Sequence, residues 1–173
     1  MSFREYDIRE WRGNPWSTVS DGWMLITAGT LSSWNTMTAS WGGFGELWNK
    51  DVVFVFVRPT RHTFGFMESS DRFTLSFFDE EHRGSLRICG SVSGRDVDKA
   101  SKAGIHPLSF GEAMNGATGV GFEEARLELL CRKLHAQDID PERFVDPAIH
   151  SHYPAKDWHR LYVGEIERAR IRE

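Results

Sequence analysis

Residues 52–57 read Val-Val-Phe-Val-Phe-Val and are closed by Arg58-Pro59. No other stretch narrows the fold as much. β-Branched and aromatic side chains pack well on a pleated surface and lose rotamer freedom in a helix, so the run predicts a central strand. Proline cannot donate to the ladder and ends it. The run spans six residues and is the longest unbroken aliphatic and aromatic stretch in the chain. That is far short of the roughly 20 residues needed to cross a bilayer. Further strands follow. Trp23–Thr27 is short, apolar and followed by Gly29. Asn35–Trp41 alternates Thr36, Thr38 and Ser40 with Met37, Ala39 and Trp41, the period of a half-buried strand. Gly42, Gly43 and Gly45 then break it. Phe73–Phe77, Arg126–Leu134 and Tyr162–Arg172 alternate in the same way. Short helices are expected over Thr60–Ser69, Glu80–Cys89 and Asp96–Ala103. Gly65 weakens the first by about 1 kcal/mol relative to alanine. No helix–strand alternation of the βαβ type runs along the chain. The expectation is a mainly β fold, an antiparallel barrel with short helical additions.

The 173 residues suit one domain spanning 1–173, and a hydrophobic fraction of 40% excludes a disordered chain. Asp138–Pro154 holds three of the six prolines and reads as an extended excursion between the last two strands. A net charge of −4 repels a phosphate backbone, so nucleic acid is an unsuitable partner. Any anionic ligand must be held by a local cluster of donors. Cys89 and Cys131 form no CxxC, and the N-terminus carries charges throughout with no apolar stretch. Both features fit a cytoplasmic protein in a reducing compartment with no membrane contact. Aromatics are concentrated: six of seven Trp lie between Trp11 and Trp48, and seven of twelve Phe between Phe54 and Phe78. This half holds bulky core and is the place to look for a planar cofactor.

Several familiar signatures are missing. Gly116–Gly121 has the order GxxGxG with no apolar strand before it, which is not a dinucleotide fingerprint. Gly90–Gly94 carries serine one place too late for a nucleophile elbow. His150, His152 and His159 have no acid or cysteine at a telling spacing, so no metal is assigned.

The informative stretch is Asn35–Thr63. Its first strand ends in Thr38, Ser40 and Trp41 before Gly42 and Gly43, which let a backbone approach a ligand and present N–H groups. Its second ends in Arg58-Pro59-Thr60-Arg61, leading into a helix. Arginines and hydroxyls at a helix N-terminus form a phosphate cradle. Taken alone, two arginines three residues apart are better explained as surface charges at a helix start. Cys89 is a redox thiol or a buried side chain, Cys131 is structural, and Trp41 is a core ring or a stacking partner. Glu165 and Glu167 form a wet face.

The sequence resembles the flavin reductase-like family, the FMN-binding split-barrel proteins that include flavoredoxin. The resemblance rests on Asn35-Thr-Met37-Thr38-x-x-Trp41-Gly42 and on Val57-Arg58-Pro59-x-Arg61-x-Thr63-x-x-Phe66. It continues in Phe73–Phe77, Cys89-Gly90-x-x-Ser93-Gly94-Arg95-Asp96-x-Asp98-Lys99, Leu134–Pro141 and Tyr162-x-Gly164-Glu165-Ile166. These blocks occur in the family's order over nearly the whole chain. The resemblance implies a six-stranded split barrel that dimerises, with one FMN per subunit. By position, Asn35, Met37, Thr38, Ser40 and Trp41 would line the flavin. Arg58, Pro59, Arg61 and Thr63 would flank the phosphate, and Ser93 and Lys99 would lie on the cofactor side. His62 departs from the aromatic residue expected there. NAD(P)H would be the co-substrate of a flavin reductase; the alternative is an electron carrier or flavin-binding module reduced by a partner. The same barrel class also hosts pyridoxal phosphate and haem proteins, and the Asn35–Trp41 and Arg58–Thr63 pair favours FMN over both.

Overall fold

The computed structural model describes residues 2–111 and 118–173. Its strands are β1 (Phe3–Glu5), β2 (Met24–Thr30), β3 (Ser33–Ala39), β4 (Gly42–Leu47), β5 (Lys50–Val57), β6 (Arg72–Phe77), β7 (Pro107–Ser109), β8 (Val120–Phe122), β9 (Leu127–Asp138) and β10 (Arg160–Arg172). Three α-helices are α1 (His62–Ser69), α2 (Arg83–Ser91) and α3 (Lys99–Ala103). Hydrogen bonding orders seven strands β3-β2-β6-β9-β10-β5-β4, all antiparallel, and β1 adds to the far end of β10. β7 and β8 form a separate ribbon. Gly116, part of the glycine-rich motif, lies outside the described residues.

All six strands expected from the pattern are in the large sheet, which has eight. The additional ones are β1 and β4. β4 reads Gly-Gly-Phe-Gly-Glu-Leu, and its glycines do not end the preceding strand for good. They form an outer strand whose partner β5 supplies the strand propensity. The hairpin closes at Trp48-Asn49, both at φ near +56° (55° and 57°), the left-handed geometry that a two-residue turn between twisted strands requires.

The sheet curls because its two edges are neighbours in sequence. A flat sheet of seven strands would hold β3 and β4 about 29 Å apart, at roughly 4.8 Å per strand. Only Ser40 and Trp41 join Ala39 to Gly42, and that link spans at most about 11 Å. The sheet therefore bends until β3 and β4 approach, yet among the described residues they do not pair. The result is a split barrel: antiparallel, mainly β, and open along one seam.

The barrel interior is filled by Met24, Ile26, Val53, Val55, Phe73, Leu75, Leu129 and Tyr162. A second core lies between the outer face of β2 and the helices, with Leu25, Leu86, Cys89, Ala100 and Phe122. β2 is buried on both faces, which explains why its sequence is apolar without alternation. α1 and α2 both lie against β3. On β9, the middle strand of the seven, Glu128 is fully buried. It accepts hydrogen bonds from Ser76 Oγ, the Phe122 amide and Arg170 Nε, each at 2.7 Å. Gly121 is glycine for that reason: a Cβ there would stand 2.3 Å from the Glu128 carboxylate.

Candidate functional site

β3 is an edge strand, so half of its backbone groups face away from β2. Which half is readable from its partners. The Thr36 hydroxyl meets Thr27 across the pair at 2.8 Å, but the Thr36 carbonyl turns outward. It accepts from Lys99 Nζ at 2.7 Å and Asn35 Nδ2 at 3.3 Å. Facing direction repeats every second residue, so Thr38 also turns its N–H away from β2 and towards the seam.

The segment after α2 is laid on this edge. Gly94 touches Asn35 so closely that a Cβ would lie 1.9 Å from its Oδ1, and Gly90 lies against the Thr38 side chain. Asn35 Nδ2 donates to Thr63 Oγ1 at 2.7 Å and ties β3 to α1. The Thr38 hydroxyl donates to the Leu86 carbonyl of α2. Lys99 Nζ donates also to the Cys89 carbonyl at 2.9 Å.

Two cavities result, sharing Met37 and Arg61. The first, of about 180 Å³, lies between α1 and the 91–95 segment and is lined by Arg61, His62, Thr63, Ser93, Arg95 and Lys99. Arg61, Arg95 and Lys99 have no carboxylate ion-pair partner among the described residues. Burial lowers the His62 pKa, and Arg95 and Lys99 lower it further. Burial likewise lowers that of Lys99, with Arg61 adding to the effect. The cap residue of α1, Arg61, makes no side-chain cap, so the first-turn N–H groups of His62 and Thr63 remain open. Positive side chains and a helix N-terminus converge on a space whose described lining holds no acid, although nearby Asp96 opposes their effect on His62, and this excess of donors suits an anion.

The second cavity, of about 160 Å³, straddles the seam. Thr38, Ser40 and Trp41 form one side; Phe56, Arg58 and His159 form the other. Trp41, 46% exposed, stands at its rim with its ring 5.2 Å from that of His159. Arg58 donates to Asp157 Oδ1 at 2.6 Å and to the His152 carbonyl at 2.9 Å, over the Tyr153 ring at 4.9 Å. The Arg58 guanidinium holds the Asp157 carboxyl below its ordinary range. Tyr153 Oη lies 2.8 Å from His159 Nδ1. These contacts fasten the excursion after β9, which contains two short 3₁₀ turns, over the seam.

Burial pushes the His159 pKa down to about 4, with the Arg58 charge acting in the same direction and Asp157 opposing it. The imidazole is therefore neutral at pH 7. Because its folded pKa lies below the unfolded value, the unfolded chain binds more protons between about pH 6.5 and pH 4. Stability from this residue is present above that window and lost as pH falls through it, by up to about 3 kcal/mol. Urea unfolding at pH 7, 5.5 and 4.5 should show this slope, and His159→Phe should flatten it; identical slopes in the two proteins would refute the assignment.

Of the residues singled out in sequence, Met37, Thr38, Ser40, Trp41, Arg58, Arg61, Thr63, Ser93 and Lys99 line the joined cavities. Asn35 lies behind them as a buried tether, and Pro59 borders a separate groove over α1. Sequence groups Arg58 with Arg61 and Thr63 in one cradle. In the structure Arg58 and Thr63 line different cavities. The Arg61 amide bonds to the Arg58 carbonyl at 3.0 Å, and both arginines border the seam cavity, but Asp157 engages Arg58 while only Arg61 reaches the anion cavity. Sequence reasoning passed over Phe56 and Arg95, and treated His159 only as a possible metal ligand. Phe56 carries no signal beyond strand propensity, and Arg95 none beyond its charge. His159 gains its place only through the return of β10 beside β5. Among the described residues no His, Cys, Asp and Glu group could hold a metal ion. Cys89 and Cys131 are free and buried, and burial raises both thiols, Cys89 to about 11, so neither is a thiolate at neutral pH.

The profile of the flavin reductase like domain matches residues 16–173. The chain belongs to the flavin reductase-like family. No curated protein matches it. Solved structures agree on the fold. An FMN-binding domain of a flavin reductases-like enzyme from Shewanella baltica superposes with a TM-score of 0.68 at 16% identity, covering 98% of this chain and 77% of that one. A flavoredoxin from Methanosarcina acetivorans gives 0.66 at 22% identity, covering 88% and 69%. An NADH:FAD oxidoreductase from Streptomyces globisporus, in complex with NAD and FAD fragments, gives 0.62 at 19% identity, covering 86% and 73%. This flavin reductase-like chain thus shares the split barrel with its relatives while retaining few of their residues. No helix among its described residues is long and apolar enough to cross a membrane.

Proposed function

We propose that this flavin reductase-like protein binds FMN across the two joined cavities and reduces it with NAD(P)H. One observation carries the reading: Arg61, Arg95 and Lys99, without carboxylate partners among the described residues, line a cavity that shares Met37 and Arg61 with a second one bordered by the Trp41, Phe56 and His159 rings. A phosphate suits the first and a planar ring the second. Arg61 and Arg95 supply fork-like donors, Lys99 a fixed charge, and Thr63 and Ser93 hydroxyls. The outward N–H of Thr38 is the donor offered to the polar edge of the ring, on the edge where negative charge has no acidic neighbour. Phe56 and Trp41 confine its faces. When bound, the flavin supplies the hydride-accepting chemistry, so the protein needs no nucleophile of its own.

An apolar cleft of about 470 Å³ between Pro15–Ser20 and Trp41–Phe44 meets the ring cavity at Ser40 and Trp41. It gives a nicotinamide an approach to the ring. The homodimer and the cytoplasmic location implied for the chain belong to the same proposal.

The purified protein should show flavin absorption with one FMN per chain after loading. Anaerobic NADH or NADPH should bleach it rapidly. Bleaching by dithionite alone would leave an electron carrier, and a protein that takes up no FMN would end the reading.

A further inference from the structure

His62 stands in the anion cavity among positive side chains, and it is the one lining residue whose ordinary pKa lies near neutral. Its ring is wedged in place. Phe66, one turn further along α1, meets it edge to face at 5.3 Å. From the facing segment, Gly94 sits so near that a Cβ would lie 3.4 Å from the His62 Cδ2. The ring nitrogens are nevertheless unengaged: among the described residues neither makes a hydrogen bond or an ion pair, and no polar side-chain atom there is both buried and unpaired. They are therefore accessible from a cavity wall. His159, the histidine of the seam cavity, is instead occupied by Tyr153 at 2.8 Å.

The charges around His62 come from three elements. Arg61 precedes it at the start of α1, Arg95 and Asp96 lie on the segment after α2, and Lys99 opens α3. Only Asp96 is acidic. Burial, Arg95 and Lys99 hold the imidazole below its ordinary pKa, against Asp96. A phosphate dianion among the same side chains acts in the opposite direction, because it favours the charged ring. A group that holds its proton better in a complex than in the free protein tightens that complex as pH falls.

We propose that His62 is a further ligand of the flavin phosphate and takes up a proton as the phosphate enters, so that FMN binds more tightly as pH falls from about 8 to about 6. The inference rests on the proposed flavin site and adds to it a residue and a pH dependence. The proton comes from solvent and returns to it when FMN leaves. While it is held, the imidazolium donates an N–H to a phosphate oxygen. The guanidiniums of Arg61 and Arg95 keep their charge throughout this range, so His62 is the part of the site that solvent pH switches.

The test is fluorescence titration of FMN and riboflavin at pH 8, 7 and 6 into wild type, His62→Gln and His62→Phe, with melting curves at each pH to confirm folding. Glutamine keeps a donor and phenylalanine keeps a ring against Phe66; neither titrates. The phosphate of free FMN itself gains a proton at about pH 6, and this affects all three proteins alike. The ratio of variant to wild-type Kd for FMN should therefore rise about tenfold between pH 8 and pH 6, the worth of one pKa unit. For riboflavin, which has no phosphate, the same ratio should change less than about twofold. Calorimetry at pH 7 in two buffers of different ionisation enthalpy should show more proton uptake with FMN on wild type than on either variant. A ratio that does not move with pH, a ratio that moves equally for riboflavin, or equal proton uptake in all three proteins overturns the assignment. If wild type binds no FMN at any of these pH values, the flavin reading itself falls and His62 with it; FMN binding with parallel pH profiles rejects His62 alone.

Discussion

Arg61→Ala weakens FMN binding by about 10- to 100-fold, the worth of one charge-assisted hydrogen bond to a phosphate, and changes riboflavin binding less than about twofold. Riboflavin is the necessary control because it carries the same ring and no phosphate. Arg61 also donates to the Gly90 carbonyl at 3.0 Å, so part of any loss is structural. That part falls on both ligands alike. Arg58→Ala should behave differently although it is only one turn away. Its guanidinium holds Asp157 and the His152 carbonyl, and losing it loosens the cover over the seam. FMN and riboflavin should then weaken together. Titration of both ligands into both variants decides the matter. Equal loss of the two ligands on Arg61→Ala would remove the phosphate from the cavity between α1 and the 91–95 segment.

The largest expected effect on stability lies between β9 and β10. Glu128→Ala or Arg170→Ala should cost about 3–5 kcal/mol, because each strands a buried charge. Glu128 is fully enclosed, and its acceptors are engaged by Ser76, Phe122 and Arg170. Arg170 is itself buried, between the Phe110 ring at 4.1 Å and the Phe3 ring at 4.4 Å. The double replacement Glu128→Leu with Arg170→Met should recover most of the loss, since removing both partners leaves no unpaired charge. Urea unfolding of the four proteins closes the cycle. A single variant that loses less than about 1 kcal/mol would show that water reaches the pair.

The strands were legible where propensity and pattern agree, as in Val52–Val57 and Phe73–Phe77. β4 was not, because its glycines carry no strand signal and its order comes from pairing with β5. The site was legible as two stretches of chain. Its division into cavities was not, because it depends on which side of one turn a guanidinium leaves. Arg58 and Arg61 look equivalent in sequence, and distant partners distinguish them: Asp157, 99 residues away, for Arg58 and the Gly90 carbonyl for Arg61. Likewise sequence assigns no role to Gly94, which lets a loop rest on Asn35.

The position of β10 has a consequence for how the protein is made. β5 is bonded to the rest of the sheet only through β10, which ends at Arg172. Among the described residues, the β4–β5 hairpin has no other strand to dock on until β10 has been made. One wall of the seam must wait for the other to be completed from the far end of the chain. Such distant pairing makes folding slow, because the two walls of the seam meet only after β10 has returned beside β5.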